Sequence, residues 1–390
     1  MALFRHTNLG VNGLFCTAIK PSFAFVILEN LRLSQFKNHQ ESQLHFGQKF
    51  ICLTGKNGMG KTNLLDAIHY LSTGKSFFST TDGQNIKSGT QHFTIEGQFQ
   101  KDQEPYQIFC GLSEGKKKII KKNKVAYDKI LKHYGQFPCI LIAPQDMQLI
   151  LDGTEERRTF IERSLWLYDR QYLQHLVAYQ QHLQQRNHLL KQHIEGQRID
   201  WQLLPIYDQQ MAQAADYLYP ARCAFLDLLR PIFQDFTQQI NNAFEQLSFH
   251  YDSQLATMTF LELMTKNRDL DRIKGRTSAG LHKDSFDFLI DQKALKKFGS
   301  QGQQKSYLLA LKLSQAKILT QKTGQKPILL LDDLFDRLDD ERAKNLIELV
   351  DQHFSQVFIT DTSYSRLDNI LSTKKNRAFF EINNGTVVGL

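Results

Sequence analysis

Phe50-Ile-Cys-Leu-Thr-Gly-Lys-Asn-Gly-Met-Gly-Lys-Thr62 is a short apolar run that ends in glycines and then in Gly60-Lys61-Thr62. Counted from Gly55, the spacing is G-x-x-x-x-G-K-[ST]. Its surroundings fit. Residues 50–54 are apolar as a buried strand is, and residues 63–71 have helical periodicity. Gly55, Gly58 and Gly60 allow a tight turn, so successive N–H groups can face one anion-sized hollow, strengthened by the positive end of the following helix. Lys61 is then expected to reach the β- and γ-phosphates, and the Thr62 hydroxyl to bind Mg²⁺. The reading is a nucleoside triphosphate site formed by Gly55, Lys56, Asn57, Gly58, Met59, Gly60, Lys61 and Thr62. The plain alternative is a glycine-rich turn with no ligand.

Such a site needs an acidic strand end, and residues 327–333, Pro-Ile-Leu-Leu-Leu-Asp-Asp, supply one. Asp332 is placed to support the hydration shell of Mg²⁺, and Asp333 to polarise a water, as base or as positioning group. Two adjacent carboxylates near a dry core are costly without a cation. Upstream, residues 298–305 precede a strong helix; Ser300 would present its hydroxyl there and Gly302 would let a backbone N–H meet a phosphate. A further strand, 357–360, ends in Thr360, Asp361 and Thr362. The pieces of one site are thus about 300 residues apart, with a helical stretch between them.

Composition bounds the partners. With 390 residues, 41% hydrophobic and 23% charged, the chain is an ordinary folded soluble protein of two or three domains. No run approaches the roughly eighteen apolar residues of a membrane span, so no membrane partner is expected. A net charge of +8 favours polyanions. Five scattered cysteines, Cys16, Cys52, Cys110, Cys139 and Cys223, suit a reducing cytoplasm.

Residues 1–24 lack an apolar signal-peptide core and read as a poorly ordered extension or as a start codon assigned too early. Strands are expected at 25–33 and 44–54, joined by a polar link at 34–39. Arg32, Lys37 and Asn38 lie near the nucleotide loop and are candidates to touch base, ribose or phosphate; a solvated strand edge is the alternative. Alternating runs at 92–100 and 106–113 suggest an antiparallel subdomain. Lys116, Lys117, Lys118, Lys121, Lys122 and Lys124 follow. They read either as a solvated charge run or as contacts to a duplex backbone, which would give affinity without sequence reading. Residues 139–143 form another buried strand, followed by Gln145, where an active-site loop could sense Mg²⁺ or water. From Thr154 to about Gln246 the pattern is that of long helices, with Pro220 and Pro231 as helix starts or kinks. Arg157 and Arg158 at its start are candidates for DNA or a neighbouring subunit. A helix at 257–272 leads to a glycine- and lysine-bearing loop, 274–284, with Lys283 a further DNA candidate. The domain expectation is an extension 1–24, an N-terminal lobe 25–153, a helical arm 154–273 and a C-terminal lobe 274–390.

This order of parts resembles the ABC/SMC class of P-loop ATPases: an α/β head of mixed sheet, flanking helices and an antiparallel β subdomain, with an inserted helical arm. In that class the Ser-x-Gly-Gln segment of one subunit covers the γ-phosphate held by the other, so that ATP joins a head-to-head dimer. Within the class the sequence is similar to the RecF family of bacterial recombination mediators from Ile27 to Leu390. Five stretches carry the likeness: Leu28-Glu-Asn-Leu-Arg-Leu-Ser-Gln-Phe-Lys-Asn38; Gly55 to Asn63; Ala143-Pro-Gln-Asp-Met147 with Gly153, Arg157 and Arg158; Ser300-Gln-Gly-Gln-Gln304; and Leu329-Leu-Leu-Asp-Asp-Leu-Phe-Asp-Arg-Leu-Asp339.

The resemblance implies a cytoplasmic, weak, DNA-dependent ATPase. It would use ATP and Mg²⁺, dimerise on duplex DNA, favour gapped or junction DNA, and also meet single strands. With RecR, and with RecO and RecA as pathway partners, it would load recombinase onto single-stranded DNA in gap repair, replication-fork recovery and SOS induction. By motif match, hydrolysis falls to Lys61, Asp333 and Gln145, and Mg²⁺ to Thr62 and Asp332. Ser300, Gly302 and Gln303 would act in trans, with Ser300 and Asp339 at the dimer seam. Two departures stand out: Lys283 replaces an arginine and loses the guanidinium fork, and Gln145 replaces a commoner glutamate. The alternative is a structural SMC-like DNA clamp, which would need long heptad-patterned arms. A transporter ATPase subunit would leave Asp333 and the basic runs without a role.

Overall fold

The computed structural model describes residues 24–240, 246–335 and 340–390. The expected extension up to residue 23 and the seam residue Asp339 lie outside them.

Among the described residues the central sheet runs, in spatial order, Thr386–Gly389, Arg377–Asn383, Phe50–Thr54, Gln356–Asp361, Ile328–Leu331 and Cys139–Ile142. All its pairings are parallel except the C-terminal hairpin. Parallel strands need crossovers, which cover both faces with other structure. That is why these segments are apolar without alternation: Ile51, Leu53, Leu330 and Phe358 enter one core, while Phe50, Cys52, Leu329 and Ile359 enter the other. Register then places the site. Asp361 pairs with Thr54, and Leu331 with both Ile359 and Ile142, so the P-loop, Asp332 and the Gln145 segment all leave the same carboxyl edge.

A second, antiparallel sheet lies over the P-loop helix Lys61–Thr73, whose Leu64, Leu65, Ile68 and Leu71 share a core with Leu28 and Ile95. Its long strand Ala24–Phe36 pairs with His39–His45 on one side and His92–Lys101 on the other. Here the expected boundaries need correction. The polar link at 34–39 is mostly strand, with a tight turn at residues 37–38, and the expected strand 44–54 is two strands in different sheets. Phe46 and Phe50 are both buried, but in different cores, so the chain has to turn between them.

The arm comprises helices Thr154–Trp166, Arg170–Ile194, Leu203–Ile240 and Phe260–Lys274. Pro220 and Pro231 lie inside the third of these, not at helix starts. An interior proline costs about 3 kcal/mol in isolation, which burial of Leu218, Phe225, Leu229 and Phe233 opposes. The base of this helix shares one core with Gln301–Thr323, Phe233 lying 4.7 Å from Tyr307 between ring centroids. Further out, the fully buried Arg186 binds Asp208 at 2.6 Å and Asp271 at 2.8 Å, tying three arm helices together. Among the described residues no helix is long and apolar enough to cross a membrane.

Candidate nucleotide site

Gly60 caps the P-loop helix at φ 113°, and a Cβ there would come within 2.6 Å of the Asn38 side chain. Gly55, at φ 142°, would meet the Ile382 carbonyl oxygen at 2.4 Å with a Cβ. Only glycine suits either position. The helix has no side-chain N-cap and no acidic residue in its first turn, so its terminal N–H groups and positive end are suited to an anion. Lys61 is 4% exposed, and its Nζ donates to the carbonyl oxygens of Gly55 (2.7 Å) and Lys56 (3.1 Å).

The next residue meets the acidic strand end. Thr62 Oγ1 lies 2.9 and 3.0 Å from the two carboxylate oxygens of Asp332, across 270 residues of sequence. Thr360 donates its hydroxyl to Asp332 at 2.8 Å and accepts the Asp333 N–H at 2.9 Å. Burial pushes the Asp332 carboxyl above its usual range, against the pull of the Thr360 and Thr62 hydroxyls. A divalent cation would offset that burial penalty. Among the described residues no cluster of three or more His, Cys, Asp or Glu could hold a metal alone. The oxygen donors Thr62 and Asp332, one hydroxyl and one carboxylate, are of the kind that suits Mg²⁺ completed by phosphate oxygens and water. Asp333 sits at φ 43°, a left-handed conformation that costs a non-glycine residue about 1–2 kcal/mol.

Two turns brace the loop from behind. Asn38 Nδ2 donates to the Met59 carbonyl (3.0 Å) and its Oδ1 accepts Asn63 Nδ2 (2.7 Å). Gly385, in the C-terminal hairpin, donates its N–H to the same Met59 carbonyl at 3.0 Å. His39 is wholly buried between them, with Nε2 3.1 Å from the Gly60 oxygen and Nδ1 3.0 Å from the Gly385 oxygen. Burial holds its imidazole below the ordinary value. Lys37 pairs with the buried Asp66 of the P-loop helix at 2.6 Å. Sequence reading missed His39 and Gly385. Asn384-Gly385 does signal a hairpin turn, but not what the turn touches.

Other candidates are placed elsewhere. Arg32 faces the outer side of the antiparallel sheet and pairs with Glu41 at 3.1 Å, so its expected contact with nucleotide is corrected. Gln145 is exposed, beside Asp146, which pairs with Lys312 at 2.6 Å. Ser300 and Gln303 form a capping box on Gln301–Thr323, with exposed Ser300 and Gly302.

The basic candidates divide by burial. Arg157 is corrected: it is 7% exposed and donates to the carbonyls of Leu149, Ile150 and Phe286, so it clamps the arm to the head. Arg158 is partly buried and donates to the Asp284 carbonyl and to Thr154. Lys118 is corrected too, since its ammonium is held by the Gly74 carbonyl and Asp82. Lys121 and Lys122 lie over the rings of Phe109 and Tyr106. Lys116, Lys117, Lys124 and Lys283 are exposed.

The family described as the RecF/RecN/SMC N terminal domain matches residues 27–378. A Flavobacterium johnsoniae protein named DNA replication and repair protein RecF is 41% identical over 357 residues, 91% of this chain and 99% of its own length. Its namesake in Bacteroides thetaiotaomicron is 40% identical over 349 residues, 89% of this chain and 94% of its own length. A solved structure of the recombination mediator protein RecF with ATP, in the RecFOR pathway, superposes with a TM-score of 0.85 at 29% identity, covering 96% of this chain and 99% of that one. A Pyrococcus furiosus Smc head, at 14% identity, a TM-score of 0.54 and coverage of 94% of this chain and 96% of its own, shares the fold alone.

Proposed function

The chain belongs to the RecF family, and from that premise we propose that it is an ATP-dependent, DNA-binding recombination mediator of DNA replication and repair. The observation that carries the reading is the meeting of Thr62 with both Asp332 oxygens at the end of a glycine loop shaped for phosphate. Thr62 and Asp332 would hold a Mg²⁺ bound with the nucleotide, which would supply positive charge against the phosphates. The remaining work is done by the chain's own groups. Lys61, at the loop's mouth, has phosphate oxygens as stronger acceptors than the Gly55 and Lys56 carbonyls. Asp333 orients a water and takes its proton on a carboxylate oxygen, while Thr360 holds both aspartates in place. Gln145 assists from the edge of the site.

Ser300, Gly302 and Gln303 of a second copy cover the phosphate of the first, with Asp339 at the seam, so nucleotide binding makes a dimer and slow hydrolysis releases it. Exposed Lys116, Lys117, Lys124 and Lys283 suit the DNA backbone. The proposed setting is the cytoplasm, on gapped or junction duplex and adjoining single strands, with RecR, RecO and RecA as partners in recombinase loading, gap repair and SOS induction.

Sedimentation with ATP, with and without gapped duplex, tests this on wild type, Lys61→Met and Ser300→Arg. Wild type is expected to dimerise only with ATP. Lys61→Met should fail to bind nucleotide. Ser300→Arg should bind it yet stay monomeric, because its lost cap costs about 1 kcal/mol and leaves the fold intact. A wild type that stays monomeric with ATP, and binds DNA regardless of it, sinks the shared-site mechanism.

A further inference from the structure

The last turn of the P-loop helix meets the first arm helix and the helix Gln301–Thr323 around a cavity of about 150 Å³. Cavities of about that volume hold one benzene-sized ring. Its floor is the buried segment Cys139, Ile140 and Leu141. Its walls are aromatic: Tyr134 and Trp166 stack with centroids 5.9 Å apart and planes 28° apart, and Phe77 adds a third ring.

The charged lining has one sign. Lys75, Arg163 and Lys312 line the cavity beside the uncharged Thr73, Ser76 and Gln315 and beside His69, with no aspartate or glutamate among the lining residues. Asp146 already answers Lys312. The exposed side chains of Lys75 and Arg163 have no ion-pair or hydrogen-bond partner among the described residues. Burial holds the His69 imidazole below its ordinary value, against the pull of Asp66 and of the Lys75 carbonyl, with smaller help from the charges of Arg163 and Lys312. A bare ring would make no use of the two solvated cations at its rim, and a bare inorganic anion would leave the aromatic slot without a partner.

We propose that this cavity is a second ligand site, for an aromatic ring joined by a short link to a carboxylate, the ring seated by Trp166 and the carboxylate between Lys75 and Arg163. It is separate from the nucleotide loop and does not rest on the function proposed above. Its walls are nonetheless tied to that loop. Asp66 of the P-loop helix accepts the Ser76 hydroxyl at 2.6 Å and the Phe77 N–H at 2.7 Å. Gln315 donates to Ser164 of the arm at 3.0 Å. An occupant would therefore fix the P-loop helix against both arm and head.

Trp166 and Trp201 are the two tryptophans, so the full chain carrying Trp201→Phe reports on the cavity by emission. The probes are 3-phenylpropionate, its neutral amide, and a short peptide ending in a free phenylalanine carboxylate. Saturable quenching by the acid is expected, weakened about tenfold in the amide and about tenfold by Arg163→Gln. Arg163 is exposed, so this variant should keep the wild-type melting temperature. The peptide arm distinguishes the sources of the shared chemistry: tighter binding than the free acid points to a chain terminus, and equal or weaker binding to a small free acid. Absence of saturation by both acid and peptide, equal affinity for acid and amide, or an Arg163→Gln variant that binds unchanged would each overturn the proposal.

Discussion

The Thr360 hydroxyl joins the two adjacent aspartates: it donates to the side chain of Asp332 and accepts the backbone N–H of Asp333, the residue held at positive φ. In Thr360→Val the shape is kept and both bonds are lost. A buried group left with fewer partners costs about 1–3 kcal/mol, so urea unfolding should show a loss in that range. ATP turnover should fall about tenfold through kcat, with nucleotide affinity nearly unchanged, because Lys61 and the glycine loop are untouched. Turnover equal to wild type would remove Thr360 from the positioning of these aspartates. At this scale the sequence was legible where chemistry imposes a spacing. Lys61 and Thr62 follow from the loop, and Asp332 from its strand. His39 was not legible, since a histidine at the start of a strand has no signature until the fold brings Gly60 and Gly385 against it. Arg157 misled for the complementary reason: a charge at a helix start suggests a ligand, yet three carbonyls within the fold satisfy it.

The lysine run shows the same limit for a whole element. Composition gives the number of charges, but only strand geometry tells which face they occupy. Ile119–Lys122 is a strand of the antiparallel sheet, and Lys118 just before it turns inward to Gly74 and Asp82. Lys121 and Lys122 cover aromatic rings, leaving Lys116, Lys117 and Lys124 in solvent. Two variants separate these roles. Replacing Lys116, Lys117 and Lys124 by alanine should weaken duplex binding and reduce the slope of log affinity against log salt by about 0.9 for each phosphate no longer neutralised. Lys118→Ala should leave that slope alone and lower stability by about 1–3 kcal/mol, because Asp82 loses its cation. An unchanged salt slope in the triple variant would assign the run to solvation. The P-loop helix, by contrast, was read almost to its boundaries, since periodicity and glycines mark both ends, whereas the strand before it was expected to begin at 44 and begins at Phe50.

Across the whole molecule, the order of motifs was enough to expect an ABC/SMC-type head with an inserted arm, and that is the fold. The joint between them was not legible: the helix Leu203–Ile240 runs from the arm into the head core, and pairwise packing such as that of Phe233 on Tyr307 has no trace in local pattern. The loop at 281–284 is part of that joint. His282 receives the Tyr179 hydroxyl at Nδ1 (3.0 Å) and donates from Nε2 to the Thr277 carbonyl (3.3 Å), a neutral imidazole between arm and loop. Burial, opposed by the Thr277 carbonyl and aided by the charges of Lys283, Arg158 and Arg186, lowers its pKa to about 4. The folded value is below the ordinary 6.5, so the unfolded chain binds the extra proton first. The resulting stability is present above pH 6.5 and is lost as pH falls from there towards 4, by about 3 kcal/mol at most. Asp284 and Glu162 act in the opposite sense, since burial raises their carboxyls and the folded state gains protons as pH falls. The wild-type curve alone therefore mixes both signs, and the informative quantity is the difference from His282→Gln. Urea unfolding of the two proteins from pH 7 to pH 4 should show the wild-type advantage shrinking steadily below pH 6.5. A difference that stays constant with pH would mean that His282 is not held neutral at the joint.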